Sequence, residues 1–374
     1  MARKRANGEG TVYQRKDGRW EACLILADLS KQSYYGRTRA DAVAKLGQAQ
    51  EALRRGKPLT SDRGQSLRVF LNEWLETVKP SLRPLTYRYY NQKVQAHILP
   101  GLGRVRLSQL TTPVIQRHLD TLAKALAPKT VKHCRDVLRT ALNDAMQWGY
   151  IGYNAASSAV PPRVPRHVVQ PLSSIEAQQL LGAVRGHRLA ALFTVALASG
   201  LRLGEALGLR WDDVDLDDGH LHVRQALQRV NGEWQLVEPK TERSRRTIPL
   251  AAVAIEALQE HHRQQRKDEL KAVHWDRAWD GLVFRQADGS PVYINNVSRT
   301  FGELLRKAGL PVRRFHDLRH ACASLLMAQG IPPSTVMEIL GHSNLATTMH
   351  IYREVSIQAM GEAAGVMDRI LGAG

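Results

Sequence analysis

The segment SGLRLGEALGLRW covers residues 199–211 and overlaps the end of the apolar run AALFTVALASG at 190–200. The apolar run predicts a buried helix, and a second helix is expected to begin near Gly204. Arg202 therefore lies in the connection between two helices of one domain. We take it as the first candidate for a polar group with a chemical role.

Two later segments carry polar groups of complementary type. FHDLRHACASLLM, residues 315–327, contains His316 and Arg319 three positions apart, which places both on one face if the segment is helical. GHSNLATTMHIYREV, residues 341–355, supplies His342 and, ten residues later, Tyr352. These four residues join Arg202 as candidates.

The chain between these segments contains the clearest β pattern of this half. HLHVRQALQRV at 220–230 is followed by the turn Asn231-Gly232, by EWQLVE, by a polar KTERSR tip and by RTIPL. This pattern predicts two successive hairpins or one three-stranded antiparallel sheet. Lys240, in PKTERSRRTIPL, is placed at the tip of the second hairpin.

The region before these segments reads as a helical bundle followed by a linker. Four amphipathic stretches begin at residues 67, 86, 111 and 129, and Pro84, Pro113 and Pro128 stand near the expected helix starts. Four helices with short loops predict a small bundle. The basic stretch SAVPPRVPRHVVQPLS, residues 158–173, predicts an extended linker because of its prolines.

Residues 11–56 predict a small α+β domain. TVYQR, an Asp17-Gly18 turn, RWEACLILA and KQSYYGR have the alternation of three strands. RADAVAKLGQAQEALRRG then predicts one amphipathic helix with Val43, Leu46 and Leu53 among its apolar positions.

Composition limits the class of protein. The 374 residues are enough for two or three domains, and 53 Lys and Arg against 35 Asp and Glu leave a formal net charge of +18. This balance favours a polyanionic partner, although a ribosomal or membrane-surface protein has similar charge. Cys23, Cys134 and Cys322 form no C-x-x-C pair, which favours a reducing compartment. Neither a signal peptide nor a membrane-spanning run is expected.

The predicted fold class is multidomain, with a small α+β N-terminal domain, an all-α bundle and a mainly α catalytic domain that contains a small antiparallel sheet. The predicted boundaries are 1–57 for the first domain, 65–160 for the bundle, 161–171 for the linker and 172–374 for the last domain.

The polar segments resemble the signature of the tyrosine recombinases, in particular the integrases of phages and integrative elements. That signature has an Arg in G-L-R-x-G-E, a Lys in P-K-T on a β-hairpin, an H-x-x-R box, and G-H-x-x-x-x-T-T followed by a nucleophilic Tyr. The matching positions are Arg202, Lys240, His316, Arg319, His342 and Tyr352. The resemblance implies that domain 65–160 binds a core DNA site and domain 1–57 an arm-type site.

The chemistry of these residue types agrees with the implied reaction. Arginine forks such as Arg202 and Arg319 hold the charged oxygens of a phosphodiester under attack. A tyrosine titrates near pH 10, so about one in a thousand is ionised at neutral pH and a base, His316, must take its proton. Lys240 is the candidate general acid for the leaving 5′ oxygen, and His342 binds the phosphate or orients Tyr352. The scheme needs no cofactor.

The resemblance also implies partners: double-stranded DNA attachment sites, a homotetramer on DNA, and for arm-site integrases a host DNA-bending protein and an excision directionality factor. It places the protein in the cytoplasm of a bacterial host. Candidate DNA contacts are the basic residues of the first domain and of the fourth bundle helix: Arg15, Lys16, Arg19, Arg37, Lys129, Lys132, Arg135 and Arg139.

Alternatives remain at this point. A chromosome-dimer resolvase, a type IB topoisomerase or another strand-exchange enzyme shares the chemistry, and a catalytically silent DNA-binding regulator shares the fold. Glu205 either braces an arginine, as the family implies, or is an ordinary surface glutamate. His316 and His320 have the i, i+4 spacing of a zinc pair, but an acidic ligand is missing and Arg319 lies between them.

Overall fold

The computed structural model describes residues 10–25, 31–54, 64–165, 172–239 and 244–341. The chain divides into two compact units, Met1–Arg166 and His167–Gly374. The first unit contains the small α+β head and the helical bundle, and the second contains the predicted catalytic residues. Within the described residues, none of the helices combines the length and the apolar character that crossing a bilayer requires.

The head is a three-stranded antiparallel sheet with one helix, as predicted. Strands β1 (Thr11–Gln14), β2 (Trp20–Ile25) and β3 (Lys31–Gly36) pair in the order β1-β2-β3, and α1 (Arg39–Arg54) follows. Because side chains alternate along a strand, Ala22 and Leu24 lie on the face that packs against Ala42 and Leu46 of α1.

One expectation about α1 was wrong. Val43 is 43% exposed. The buried face of the helix contains Ala42, Leu46 and Ala49, and Val43 points away from that face because it is the next residue after Ala42. The side chain of Leu53 lies outside the described residues.

The bundle contains helices α2 (Leu67–Val78), α3 (Pro84–Lys93), α4 (Leu99–Leu102), α5 (Thr112–Ala123) and α6 (Pro128–Gln147), with a π-helical turn at Val94–Ile98 between α3 and α4. Proline occupies one of the first two positions of α3, α5 and α6, where its missing N–H costs no helical hydrogen bond. Phe70 and Trp74 of α2 are fully buried against Ile98 and Leu138.

The second unit is mainly helical. Its helices are α7 (Ser174–Val184), α8 (Ala190–Ser199), α9 (Leu203–Leu207), α10 (Ala252–Lys271), α11 (Ile294–Lys307), α12 (Asp317–Ala328) and α13 (Pro333–Leu340). Helix α8 is apolar on all sides and buried along nearly its whole length. Phe193 of α8 packs against Phe301 and Phe315, with ring centroids 5.3 and 6.1 Å away.

The β segment of this unit forms two separate sheets. β4 (Val214–Asp215), β5 (His220–Val223) and β8 (Arg246–Pro249) make a three-stranded sheet in that order, while β6 (Ala226–Val230) and β7 (Glu233–Val237) make a hairpin. The hairpin turns at Asn231 and Gly232, whose φ values of 52° and 92° suit the predicted Asn-Gly turn.

The pairing therefore differs from both predicted forms, since β8 pairs with β5 and the segment 220–230 is divided into two strands. Close packing of α9 against β6 accompanies this break. A Cβ on Gly208 would lie 2.6 Å from the backbone nitrogen of Leu227, so only glycine allows the approach.

Candidate active site

The connection from α8 to α9 places Arg202. Helix α8 ends at Gly200, which has a left-handed φ of 64°. A Cβ at this position would overlap the Leu340 side chain, so both the turn and the packing require glycine. Arg202 follows in extended conformation as the N-cap of α9, with 39% of its side chain exposed.

Glu205 links Arg202 to a second arginine. One carboxylate oxygen accepts a hydrogen bond from Arg202 Nη1 at 2.6 Å, and the other accepts from the Arg202 backbone N–H at 3.1 Å and from Arg246 Nη2 at 3.0 Å. Glu205 is only 6% exposed. Burial alone would raise its pKa, but the charges of Arg246 and Arg202 and their hydrogen bonds hold the pKa below its ordinary value. Glu205 is therefore a buried, ionised brace rather than a surface residue.

Arg319 lies deeper than Arg202. It is 2% exposed on α12, and its guanidinium donates to the carbonyl of Gly200 at 2.7 Å and to that of Leu340 at 2.5 Å. Burial and the nearby charge of Arg202 lower its pKa to about 9, which leaves the group protonated at neutral pH. Its charge is thus present and oriented before any ligand binds.

The end of α13 meets all three arginines. The carbonyls of Ile339, Leu340 and Gly341 accept hydrogen bonds from Arg246, Arg319 and Arg202, at 2.6, 2.5 and 3.3 Å respectively. The last carbonyls of a helix lack partners within the helix and carry its negative dipole end. The arginines satisfy them, and the next residue along the chain is His342.

His316 stands at the start of α12, one turn before His320, with ring centroids 5.2 Å apart. The residue is exposed to solvent. Desolvation, with the positive neighbours His320, Arg319 and Arg202, lowers the pKa of His316 to about 4. The imidazole is therefore neutral at pH 7, and one of its two ring nitrogens carries no proton.

Arg202 and Arg319 thus donate to the adjacent carbonyls of Gly341 and Leu340, and the charges of both contribute to the lowered pKa of His316. Lys240, His342 and Tyr352 lie outside the described residues. The described chain approaches two of them closely, with Pro239 before Lys240 and Gly341 before His342.

Arg246 is the residue of this site that sequence reasoning missed. Its side chain is 6% exposed and pairs with Glu205. The string RSRRTIPL contains three arginines within four positions, and nothing in their spacing marks which one is buried. In the structure Arg246 lies opposite Val223 in the pairing of β8 with β5 and donates to Glu205.

The candidate DNA contacts of the head gather at one end of the sheet. The Arg15 and Arg19 guanidiniums lie 5.5 and 5.9 Å from the ring centre of Tyr35, and both pair with Asp17. Lys16 is exposed in the turn between them. Gly36 pairs with Trp20, so the exposed Arg37 leaves the sheet at the end where Arg19 enters it.

Arg15 is also held by a buried carboxylate. Its Nη1 donates to Glu21 at 3.1 Å, and Glu21 is 5% exposed. A hydrogen bond from Ser33, followed by bonds from Tyr13 and Cys23, lowers the pKa of Glu21 to about 2.

The candidate contacts of α6 surround an acid. Asp136 lies 3.4, 3.2 and 3.9 Å from nitrogens of Lys132, Arg135 and Arg139. Lys132 and Arg139 each expose 48% of their side chains, whereas Arg135 exposes 16%. Lys129, one turn before Lys132, is exposed. We call these four residues of α6 the basic stripe: Lys129, Lys132, Arg135 and Arg139. The stripe is accessible, and Asp136 neutralises part of its charge.

The family comparison agrees with this site. The model described as the phage integrase family matches residues 170–358, and the phage integrase N-terminal SAM-like domain matches residues 66–123. Among solved structures, the integrase of the Tn1549 transposon in complex with transposon right end DNA is 20% identical with a TM-score of 0.68, over 79% of this chain and 99% of that one. A lambda integrase tetramer bound to a Holliday junction is 20% identical with a TM-score of 0.58, over 93% of this chain and 96% of that one.

Two curated relatives extend over most of the sequence. A protein named tyrosine recombinase XerC-like, from Caldanaerobacter subterraneus, is 33% identical over 87% of this chain and 88% of its own. An integrase from Streptomyces ambofaciens is 29% identical over 99% of this chain and 98% of its own. On this evidence the chain belongs to the phage integrase family and is a tyrosine recombinase, an enzyme of site-specific DNA recombination.

Proposed function

We propose that this chain integrates and excises the DNA of a phage or other mobile element in the cytoplasm of a bacterial host, with Tyr352 as the nucleophile. One observation carries the residue assignments. Arg202, Arg319 and the neutral His316 form one charged cluster, and the backbone that leaves this cluster at Gly341 enters the segment containing His342 and Tyr352.

The arginines supply the electrostatic part of the reaction. Attack on a phosphodiester concentrates negative charge on the non-bridging oxygens, and preoriented guanidiniums stabilise that charge. Arg202 is the more accessible of the two, with two of its five N–H donors engaged by Glu205 and Gly341 through its side chain. Arg319 adds a buried positive charge behind it.

The proton transfers complete the step. His316 takes the phenol proton of Tyr352 as the oxygen attacks phosphorus. The bond from phosphorus to the 5′ oxygen breaks, and Lys240 donates a proton to that oxygen. The product is a 3′-phosphotyrosine that keeps the energy of the broken bond, so the 5′ hydroxyl of the exchanged strand reseals the DNA without ATP. His342 binds the phosphate or orients Tyr352.

The assembly follows from the reaction. Two DNA sites carry four strands to be cut, which requires four protomers, and the lambda integrase tetramer on a Holliday junction supports this number. Domain 65–160 binds the core site and domain 1–57 an arm-type site through its basic sheet end. A host DNA-bending protein and an excision directionality factor then act with the arm sites.

A nicked DNA duplex that traps the covalent intermediate tests this function. We expect the wild-type protein to form a denaturation-resistant adduct, joined through a 3′ phosphate, in the absence of metal and ATP. Tyr352→Phe should form none, whereas Tyr153→Phe, at a position 57% exposed, should react normally. An adduct formed by Tyr352→Phe would disprove the assignment. No adduct from wild type on a site that it binds would favour a silent DNA-binding regulator.

A second candidate, a chromosome-dimer resolvase, is favoured by the name of the XerC-like relative. The head argues for an integrase, because it supplies a second basic DNA-binding candidate beside the bundle. A binding assay with wild type and with Arg15→Gln/Arg19→Gln separates the two. For an integrase, the double variant loses binding to arm DNA and keeps binding to core DNA.

A further inference from the structure

Arg246 connects three segments that are far apart in sequence. Its Nε donates to the carbonyl of Ile339 at 2.6 Å, its Nη1 to the carbonyl of Ser244 at 3.2 Å, and its Nη2 to Glu205 at 3.0 Å. The side chain is 6% exposed. It is held inside the protein by these three bonds.

Each of these acceptors is near a residue of the proposed reaction in sequence or is bonded to one. Ser244 is four residues after Lys240, and Ile339 is three residues before His342. Glu205 holds the guanidinium of Arg202 at 2.6 Å. One side chain therefore bonds Ser244, Ile339 and Glu205, which lie on three separate segments of the described chain.

We infer that Arg246 is a positioning residue for DNA cleavage, which sets these three segments at fixed distances from one another. The inference rests on the proposed roles of Lys240 and His342. A guanidinium suits the task because its donors form a rigid planar fork that satisfies three acceptors in different directions. A lysine carries the same charge but offers one flexible nitrogen, so it cannot reproduce the three bonds of Arg246 in their present directions.

The test compares Arg246→Lys with Arg245→Lys. Arg245 is the adjacent residue, and 57% of its side chain is exposed in an ion pair with Glu238. Single-turnover cleavage is measured at saturating nicked DNA, together with the Kd for that DNA and the thermal unfolding midpoint. We expect Arg246→Lys to cleave about 100-fold more slowly, since a displacement near 1 Å costs about this much. We expect the Kd to stay within about twofold and Arg245→Lys to match wild type.

A second substrate separates positioning from a general loss of structure. In DNA with a sulfur in place of the scissile 5′ bridging oxygen, the leaving thiolate departs without a proton from Lys240. If Arg246 positions Lys240, this substrate should restore at least about tenfold of the rate lost by Arg246→Lys, in keeping with the size of general acid catalysis. If Arg246→Lys were only partly folded, its cleavage rate would fall by the same factor on both substrates, and that result would overturn the inference.

The inference and the proposed function can fail separately. A wild-type rate for Arg246→Lys on ordinary DNA, with an adduct that still depends on Tyr352, would refute the positioning role alone. An adduct that forms with Tyr352→Phe would refute the proposed reaction. If Arg246→Lys does not fold, Arg246→Gln takes its place, because a planar amide donates two bonds without a buried charge; the same rates and substrate dependence are expected of it.

Discussion

Basic residues in two regions of this molecule are held in opposite ways. In the second unit, the side chain of Arg246 is 6% exposed and Arg319 is 2% exposed, and both donate mainly to backbone carbonyls. On α6, Lys132 and Arg139 expose 48% of their side chains and share one carboxylate, Asp136. Buried charges are screened little by salt and exposed charges strongly. We propose that the first arrangement orients charge for the reaction and that the second attracts the polyanionic DNA.

Replacing one of the two buried arginines, Arg246 and Arg319, should have the largest effect on stability and on cleavage. In Arg319→Gln the carbonyls of Gly200 and Leu340 lose charged donors, and we expect the free energy of unfolding to fall by about 1–3 kcal/mol. We expect single-turnover cleavage to slow by about 100- to 1,000-fold because a preoriented charge is removed. Arg139→Gln makes the same change in an exposed side chain. Equal effects of the two variants on unfolding would remove the distinction between the regions.

The next test concerns the backbone at Gly200, whose carbonyl binds Arg319. Gly200→Ala adds a Cβ at a φ of 64° and against Leu340, whereas Gly186→Ala adds one at a φ of 77° with no atom within 4 Å. We expect Gly186→Ala to cost about 1–2 kcal/mol of unfolding free energy, from backbone strain alone. Gly200→Ala should cost more and should also slow cleavage. Similar losses in denaturant titrations of the two variants would show that the contact with Leu340 is tolerated.

The basic stripe should affect binding and leave the chemical step unchanged. In the triple variant Lys129→Gln/Lys132→Gln/Arg139→Gln, the slope of log K against log salt should decrease by about 0.9 for each DNA phosphate that the protein no longer neutralises. Asp136→Asn should do the reverse, because it removes the acid that neutralises the stripe. Binding titrations at several salt concentrations measure both. An unchanged slope in the triple variant would exclude α6 from the DNA interface.

The smallest effect is expected for the protonation of His316. The His316 signal in a pH titration of the DNA-free protein by NMR should have its midpoint near 4. An unfolded chain takes up this proton near pH 6.5. Since the folded pKa is lowered, His316 favours the folded state fully above pH 6.5, and this contribution is lost as the pH falls through about 4. A midpoint at 6 or above would contradict the desolvation of this ring and the influence of its positive neighbours His320, Arg319 and Arg202.

Local sequence was enough for much of the fold. The three strands of the head, the helices of the bundle and the Asn231-Gly232 turn follow from periodicity, proline placement and turn chemistry, which act between neighbours in the chain. The sequence left the role of Glu205 open, and the structure shows its link to Arg202 within one turn of chain at the start of α9. The exposure of Val43 shows the limit of such reasoning, because an apolar residue next to the buried face looks the same as one within it.

The sequence by itself determined the residue types of the reaction, the order of the domains and the strongly basic character of the chain. Tertiary structure alone decided that β8 pairs with β5, that Arg319 is buried, and that Arg246 reaches Ile339, which is 93 residues away. The reason is physical. A buried guanidinium is stable only where charged partners and carbonyls converge on it, and here they come chiefly from α9, the end of α8 and the end of α13, segments that meet only in the folded chain.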